Sequence, residues 1–188
     1  MTISINEVES GMGLMIDGNI YLVLDYNHVK PGKGAAFVRI RMRNVKTDQV
    51  LERTFRTADS LEDVPLEERK LQNLYRNGDN CMFMDMASYE EVAIPVSIIG
   101  EQIRFLQDHL VVIGLSHNDS ILKVILPNFI EAEITHTEPG IKGDSTKAGG
   151  KFATIDTGTE IQVPLFINVG DFVKIDTRTG DYIERVKR

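Results

Sequence analysis

The chain contains a single cysteine, no tryptophan and no long apolar segment. Cys81 alone excludes an internal disulfide and a cysteine-based metal cluster. No apolar run approaches the roughly 20 residues that a helix needs to span a bilayer. Residues 1–7 also lack the basic and apolar regions of a signal peptide. These absences predict a soluble, cytoplasmic protein with no membrane segment.

The motifs of common catalytic sites are absent as well. The four histidines are scattered, with neither a His-Glu-x-x-His pattern nor a close pair for zinc. No serine lies in Gly-x-Ser-x-Gly, and residues 140–145 lack the Gly-Lys-Ser/Thr ending of a phosphate loop. We therefore expect no catalytic residues, no metal and no cofactor, and a protein that is not an enzyme.

What the chain does have is an uneven distribution of charge. The net charge is −7, but residues 28–57 carry eight basic residues against Asp48 and Glu52, a net charge of +6 that leaves −13 for the rest. The basic residues are Lys30, Lys33, Arg39, Arg41, Arg43, Lys46, Arg53 and Arg56. A basic segment on an acidic body is typical of directed contact with a polyanion. A solvated, charged strand face is the alternative.

A Gly- and Pro-rich tip lies inside this basic segment, between strand-like runs at residues 20–24 and 37–43. Its residues are Lys30, Pro31, Gly32, Lys33 and Gly34. The glycines tolerate backbone angles denied to other residues and Pro31 fixes its own φ, so we expect Lys33 at the exposed end of an arm. An ordinary β-hairpin turn is the alternative, because Gly and Pro are common there.

The run after the tip alternates between apolar and basic side chains. Residues two apart on a strand share a face and lie roughly 7 Å apart. The pattern therefore predicts an exposed row of Arg39, Arg41 and Arg43, with Val38, Ile40 and Met42 facing a core. Guanidinium groups form bidentate bonds to phosphate, so the row suits a chain of phosphates.

Strand-like alternation dominates the rest of the chain and predicts three β-rich blocks, 1–64, 65–127 and 128–188. Asn77-Gly78 between apolar runs predicts a hairpin. Apolar residues at helical spacing from Ile99 to Leu110 predict one helix, with Ser97 as its N-cap. The acidic residues 60–65 are interpreted as a linker. The second and third blocks suit small Greek-key barrels of the OB type.

Several motifs, in order along essentially the whole chain, resemble those of bacterial elongation factor P. They are Lys-Pro-Gly-Lys-Gly-Ala-Ala-Phe at 30–37, Phe-Met-Asp at 83–85 with Tyr89-Glu90, Pro-Gly-Ile-Lys-Gly-Asp at 139–144, and Asp-Thr-Arg-Thr-Gly-Asp-Tyr at 176–182. The last motif is long enough to be highly specific.

The resemblance implies an all-β, L-shaped protein with an SH3/KOW-like N-terminal barrel followed by two OB-like barrels. It also implies a monomeric factor that binds the ribosome beside peptidyl-tRNA and promotes peptide-bond formation at consecutive prolines. Lys33 falls on the family's tip position, where a lysine-modifying enzyme acts in many members. The RNA contacts implied elsewhere are Gly143, Asp144, Ser145, Tyr182 and Arg185. For Tyr182 and Arg185, a tyrosine at the core edge and a solvated arginine are the alternatives.

A general RNA or single-stranded nucleic-acid binder with OB-type barrels is the rival interpretation. Such proteins stack bases on aromatic side chains. This chain has no tryptophan, and its Phe and Tyr residues mostly fall at core-like positions. Retention on intact ribosomes in preference to bare RNA would separate the two functions.

Overall fold

The computed structural model describes residues 1–30, 32, 35–138 and 150–187. The structure is all-β, about 59% strand and 8% helix, which confirms the predicted fold class. By proximity of Cα atoms the chain divides into two compact units, Met1–Arg69 with Gly114–Lys123 and Lys70–Ile113 with Val124–Arg188. The predicted division at 64/65 and 127/128 stays a prediction. No helix in the described part of the chain has the length and apolar composition needed to cross a bilayer.

The first sheet has six strands in the order β1-β6-β2-β3-β4-β5. These are β1 (Thr2–Ser4), β2 (Gly13–Ile16), β3 (Asn19–Val29), β4 (Phe37–Asn44), β5 (Val50–Arg56) and β6 (Ser60–Asp63). A 3₁₀ helix at Ile5–Glu7 follows β1. The buried core comprises Ile5, Val8, Leu14, Ile16, Tyr21, Val23, Val38, Ile40 and Met42. The inner face of β4 is therefore fixed by packing.

The linker interpretation of residues 60–65 is wrong, because β6 lies inside the first sheet. It pairs with β1, where Leu61 is opposite Ile3, and with β2, where Glu62 is opposite Met15. Leu61 packs against the core while its acidic neighbours face outward or lie half-buried. A four-residue strand with one apolar anchor offers too little alternation to be recognised in the sequence.

The second sheet has five strands in the order β11-β10-β7-β8-β9. These are β7 (Glu67–Asn77), β8 (Asn80–Asp85), β9 (Glu91–Pro95), β10 (Val111–His117) and β11 (Ser120–Ile125). Asn77 pairs with Asn80, which leaves Gly78 and Asp79 as a two-residue turn. Gly78 has a φ of +59° at the first turn position, where glycine is favoured. The hairpin predicted from Asn77-Gly78 is confirmed.

The predicted helix is shorter than expected. One α-helical turn, α1 (Val96–Ile99), is followed by a 3₁₀ segment at Gly100–Phe105. Gly100 has a left-handed φ of +67° and ends the α-helical turn. Pro95 occupies the N-cap position, so Ser97 lies within the helix and does not cap it. Apolar spacing identified a helical region here, but glycine divides it.

The third sheet has five strands in the order β14-β13-β12-β15-β16. These are β12 (Phe129–Thr137), β13 (Gly150–Ile155), β14 (Glu160–Pro164), β15 (Phe172–Asp176) and β16 (Tyr182–Val186). The two end strands, β14 and β16, contact each other, as expected of a sheet that curls into a barrel. β15 and β16 pair antiparallel and form a hairpin at the C-terminal motif.

Candidate nucleic-acid interface

The arginine row predicted on β4 is present in the structure. Val38, Ile40 and Met42 are completely buried, and Arg39, Arg41 and Arg43 are exposed on the other face. Shifting the strand by one residue would exchange the two faces. Such a shift would bury three guanidinium groups and expose three apolar side chains worth roughly 1.5–3 kcal/mol each. The hydrophobic core therefore determines where the arginines point.

Two exposed carboxylates compensate the charge of the row in part. Glu52 on β5 lies 3.3 Å from the Arg39 Nε, and both side chains are about half exposed. Exposed pairs of this kind contribute little, so a phosphate can readily displace the carboxylate. Arg41 lies opposite Asp25 and Glu52 on the flanking strands. Neither Arg41 nor Arg43 forms an ion pair or side-chain hydrogen bond with any described residue.

The sequence pattern did not place Arg56 beside the arginine row. It pairs with Phe37, which lies on the same face of β4 as the arginine row, and its side chain is exposed. Arg56 therefore adds a fourth guanidinium from the neighbouring strand. Its position depends on the register between β4 and β5, which alternation within either strand alone does not specify.

That register is set by the turn that follows β4. Asn44 is buried, and its Oδ1 accepts hydrogen bonds from the backbone N–H groups of Lys46 (2.9 Å) and Thr47 (3.0 Å). Asp48 takes a φ of +60° and donates its N–H to the Asn44 carbonyl. This Asx turn brings Arg43 opposite Val50. The side chain of Asn44 thus aligns the basic residues of two strands.

The tip is the connection between β3 and β4, whose pairing extends to Val29 and Phe37. Lys30 and Gly32 are exposed at its near side. Pro31, Lys33 and Gly34 lie outside the described residues, so the exposed position predicted for Lys33 stays a prediction. The described strands are equally compatible with an ordinary hairpin turn and with a functional arm.

The remaining predicted RNA contacts belong to the last third of the chain. Gly143, Asp144 and Ser145 lie outside the described residues. Tyr182 and Arg185 are both on β16, where a register shift places them opposite Ile175 and Val173. Arg185 is half exposed and its Nη2 lies 2.8 Å from the Oδ1 of Asp171, a largely buried carboxylate. Its role as an RNA contact stays a prediction, and the ion pair gives it a structural role as well.

The C-terminal motif that contains Tyr182 has a clear function in the fold. Asp176 accepts two hydrogen bonds from the guanidinium of Arg178, at 3.0 and 2.6 Å. These bonds lower the pKa of the Asp176 carboxyl to about 2. Thr177 is buried and donates its hydroxyl proton to the carbonyl of Pro127 (2.7 Å). Gly180, with a φ of +83°, closes the turn against the ring of Phe105.

Comparison with protein families accounts for nearly the whole chain. Residues 4–61 match a model described as the elongation factor P KOW-like domain. Residues 66–124 match the elongation factor P OB domain, and residues 130–185 match a model described as elongation factor P, C-terminal. The three matches follow one another in the order of the three sheets.

Individual relatives agree with this result. An elongation factor P of Moorella thermoacetica is 44% identical over 183 residues, which cover 97% of this chain and 99% of the relative. One of Natranaerobius thermophilus is 43% identical over 185 residues and 98% of both chains. A solved translation initiation factor eif-5a family protein from Naegleria fowleri is 15% identical. It has a TM-score of 0.53 and covers 67% of this chain and 98% of its own. At that identity it supports the fold alone.

Proposed function

The chain belongs to the elongation factor P family of translation factors, and on that premise we propose that it binds the ribosome beside peptidyl-tRNA and promotes peptide-bond formation between consecutive prolines. Lys33 carries this activity from the tip. A dedicated enzyme extends its amine, and the cytoplasm, where translation occurs, is the site of action.

The observation that carries the proposal is the arm formed by β3 and β4. It holds Arg39, Arg41 and Arg43 in an exposed row along one face and leads directly to the tip. Because the buried core fixes which face of β4 is exposed, the three guanidinium groups lie on one side of the arm before RNA binds. The row therefore supplies affinity and orientation, and the tip lysine is placed by it.

The chemical contribution is one of positioning. Proline is a poor donor and acceptor of the peptidyl group, so reaction is limited by how often the two ends meet in a productive geometry. Holding reactants in place can lower a barrier substantially without any acid or base. Lys33 steadies the CCA end of the peptidyl-tRNA through hydrogen bonds and charge. Gly143, Asp144, Ser145, Tyr182 and Arg185 provide further RNA contacts.

The rival function, general binding of single-stranded RNA, predicts a different preference. A factor that recognises the ribosome with its peptidyl-tRNA binds that complex more tightly than it binds bare RNA at the same salt concentration. A general binder would show no such preference.

The deciding experiment replaces Lys33 and follows synthesis of a reporter that contains Pro-Pro-Pro. Lys33→Ala should abolish the stimulation of synthesis. Lys33→Arg keeps the charge but lacks the primary amine and has a planar head, so it should fail nearly as badly as alanine. Lys70→Ala, which removes an exposed lysine from β7, should retain activity and is the matched control.

Two outcomes would contradict the proposal. Full activity of Lys33→Ala would show that the tip does not carry the function. Full activity of Lys33→Arg would show that charge alone suffices, and it would remove the need for a modified amine.

A further inference from the structure

The arm carries two aromatic rings on the face opposite the arginine row. Tyr26 and His28 lie two residues apart on β3 and pair with Ile40 and Val38 of β4. Their ring centroids are 5.7 Å apart and the ring planes are inclined by 87°. Tyr26 is 37% exposed, and His28 is exposed as well. The pair therefore occupies the part of the arm that extends towards the tip, with both rings accessible.

The rings lie at the edge of the core and are not enclosed by it. Their cross-strand partners Val38 and Ile40 are completely buried, and Phe55 from β5, which pairs with Val38, packs against the same core. Within residues 1–30, 32, 35–138 and 150–187, no partner forms a hydrogen bond with the Tyr26 hydroxyl or the His28 ring nitrogens. The two rings keep a free surface and free polar edges.

Two cations lie on the same face as the pair. Lys30 continues the spacing of Tyr26 and His28 and is exposed at the entrance to the tip. Arg53 on β5 pairs with Ile40, as Tyr26 does, and its guanidinium lies 2.8 Å from the exposed carboxylate of Asp17. Exposed aromatic rings next to cations are the usual means of holding unpaired RNA, in which bases stack on the rings and phosphates meet the cations. Charge and ring exposure thus favour the same occupant.

We propose that Tyr26 and His28 form a stacking site for one unpaired RNA base. Because the rings are nearly perpendicular, a base that stacks on the face of one ring meets only the edge of the other, so the site accepts a single base. The inference rests on the proposed function, since it assigns a second RNA contact to the same arm. The arginine row binds phosphates on one face, and the rings bind an unpaired base on the other.

The test compares two RNA hairpins of identical stem, one blunt and one with a short single-stranded 3′ extension of adenines and cytosines. Binding of the full chain is measured by fluorescence anisotropy at low salt. The wild-type protein should prefer the extended hairpin. Stacking of one base is worth about 1–3 kcal/mol, so Tyr26→Leu should reduce this preference by about 5-fold or more. Tyr26→Phe keeps the ring and should retain it.

The ratio of the two affinities separates stacking from folding. Damage to the fold weakens binding to both hairpins, whereas loss of a stacking site weakens only binding to the extended one. His28→Ala provides a second variant with the same expected loss. Tyr75→Leu, which removes a 49% exposed tyrosine from β7, is the matched control and should leave the ratio unchanged.

The proposal is wrong if the wild-type chain shows no preference for the extension, or if both ring variants keep that preference. An equal loss of binding to both hairpins in the two variants would also overturn it, since the rings would then only support the fold. Failure here with an active Pro-Pro-Pro reporter would leave the proposed function intact, because that reporter tests Lys33 and not the rings.

Discussion

The arginine row offers the sharpest test of the proposed contact with RNA. We consider the double variant Arg41→Gln/Arg43→Gln, because both side chains are exposed and neither is ion-paired within the described residues. Glutamine keeps most of the length and polarity of arginine and removes the charge. Exposed substitutions of this kind usually change the free energy of unfolding by no more than about 0.5 kcal/mol each. A loss of binding would therefore reflect the lost charges.

The magnitude follows from counterion release. Each phosphate neutralised by the protein contributes about 0.7 to the slope of log affinity against log salt for single strands. If Arg41 and Arg43 each contact one phosphate, the double variant should lower the slope by about 1.4. A fourfold rise in salt should then weaken the wild-type protein about sevenfold more than the variant. The effect is large enough to measure with ordinary binding curves.

The assay is co-sedimentation with ribosomes that carry peptidyl-tRNA, repeated across a series of potassium chloride concentrations. Arg76→Gln is the matched control, because Arg76 is exposed on β7 and lies outside the basic segment. It should change the slope little. An unchanged slope in the double variant, or an equal decrease in Arg76→Gln, would refute the assignment of phosphate contacts to the row.

Two further predictions concern the elements that hold the site in place. Asn44→Ala removes two hydrogen bonds to the turn after β4. Hydrogen exchange should then show a free energy of opening of the β4 amides that is lower by about 1–2 kcal/mol. Asn27→Ala, at an exposed position, should leave that free energy unchanged. Arg178→Gln should raise the pKa of Asp176 from about 2 towards 3.8, measured by NMR titration of the carboxyl carbon. Because the folded pKa is lowered, this carboxylate stabilises the fold above about pH 3.8, and the contribution is lost between that pH and about 2. The free energy of unfolding of the variant should therefore fall less between these two pH values than that of the wild-type protein. An unchanged pKa of Asp176 in the variant would contradict the role given to Arg178.

The features that were predicted correctly are those encoded by local alternation or by a turn sequence. The buried and exposed faces of β4 follow from strict alternation over Val38 to Arg43, and the β7–β8 hairpin follows from Asn77-Gly78. In both cases the determining residues are neighbours in sequence. The corresponding physical preference, for burial or for a backbone conformation, depends on those neighbouring residues and not on the rest of the fold.

The features that were missed depend on pairing between distant segments. β6 is held by β1 and β2, more than forty residues earlier in the chain. Arg56 joins the basic surface only through the register set by Asn44. The bulge on β16 places Tyr182 and Arg185 opposite residues that share a face, although a spacing of three predicts opposite faces for a regular strand. Register and bulges are tertiary properties that a pattern within one strand does not specify.

The two motifs that most strengthened the family resemblance differ in what the fold requires of them. Gly180 has a left-handed φ, and a Cβ added there would lie 3.3 Å from the ring of Phe105, so packing alone explains a glycine in the C-terminal motif. A Cβ added at Gly32 would meet no described atom within 4 Å, so no described contact requires a glycine in the tip. A small residue at an open position is useful where another molecule must approach the backbone closely. The C-terminal motif is therefore weak support for RNA contact despite its length, whereas the role of the tip motif stays a prediction.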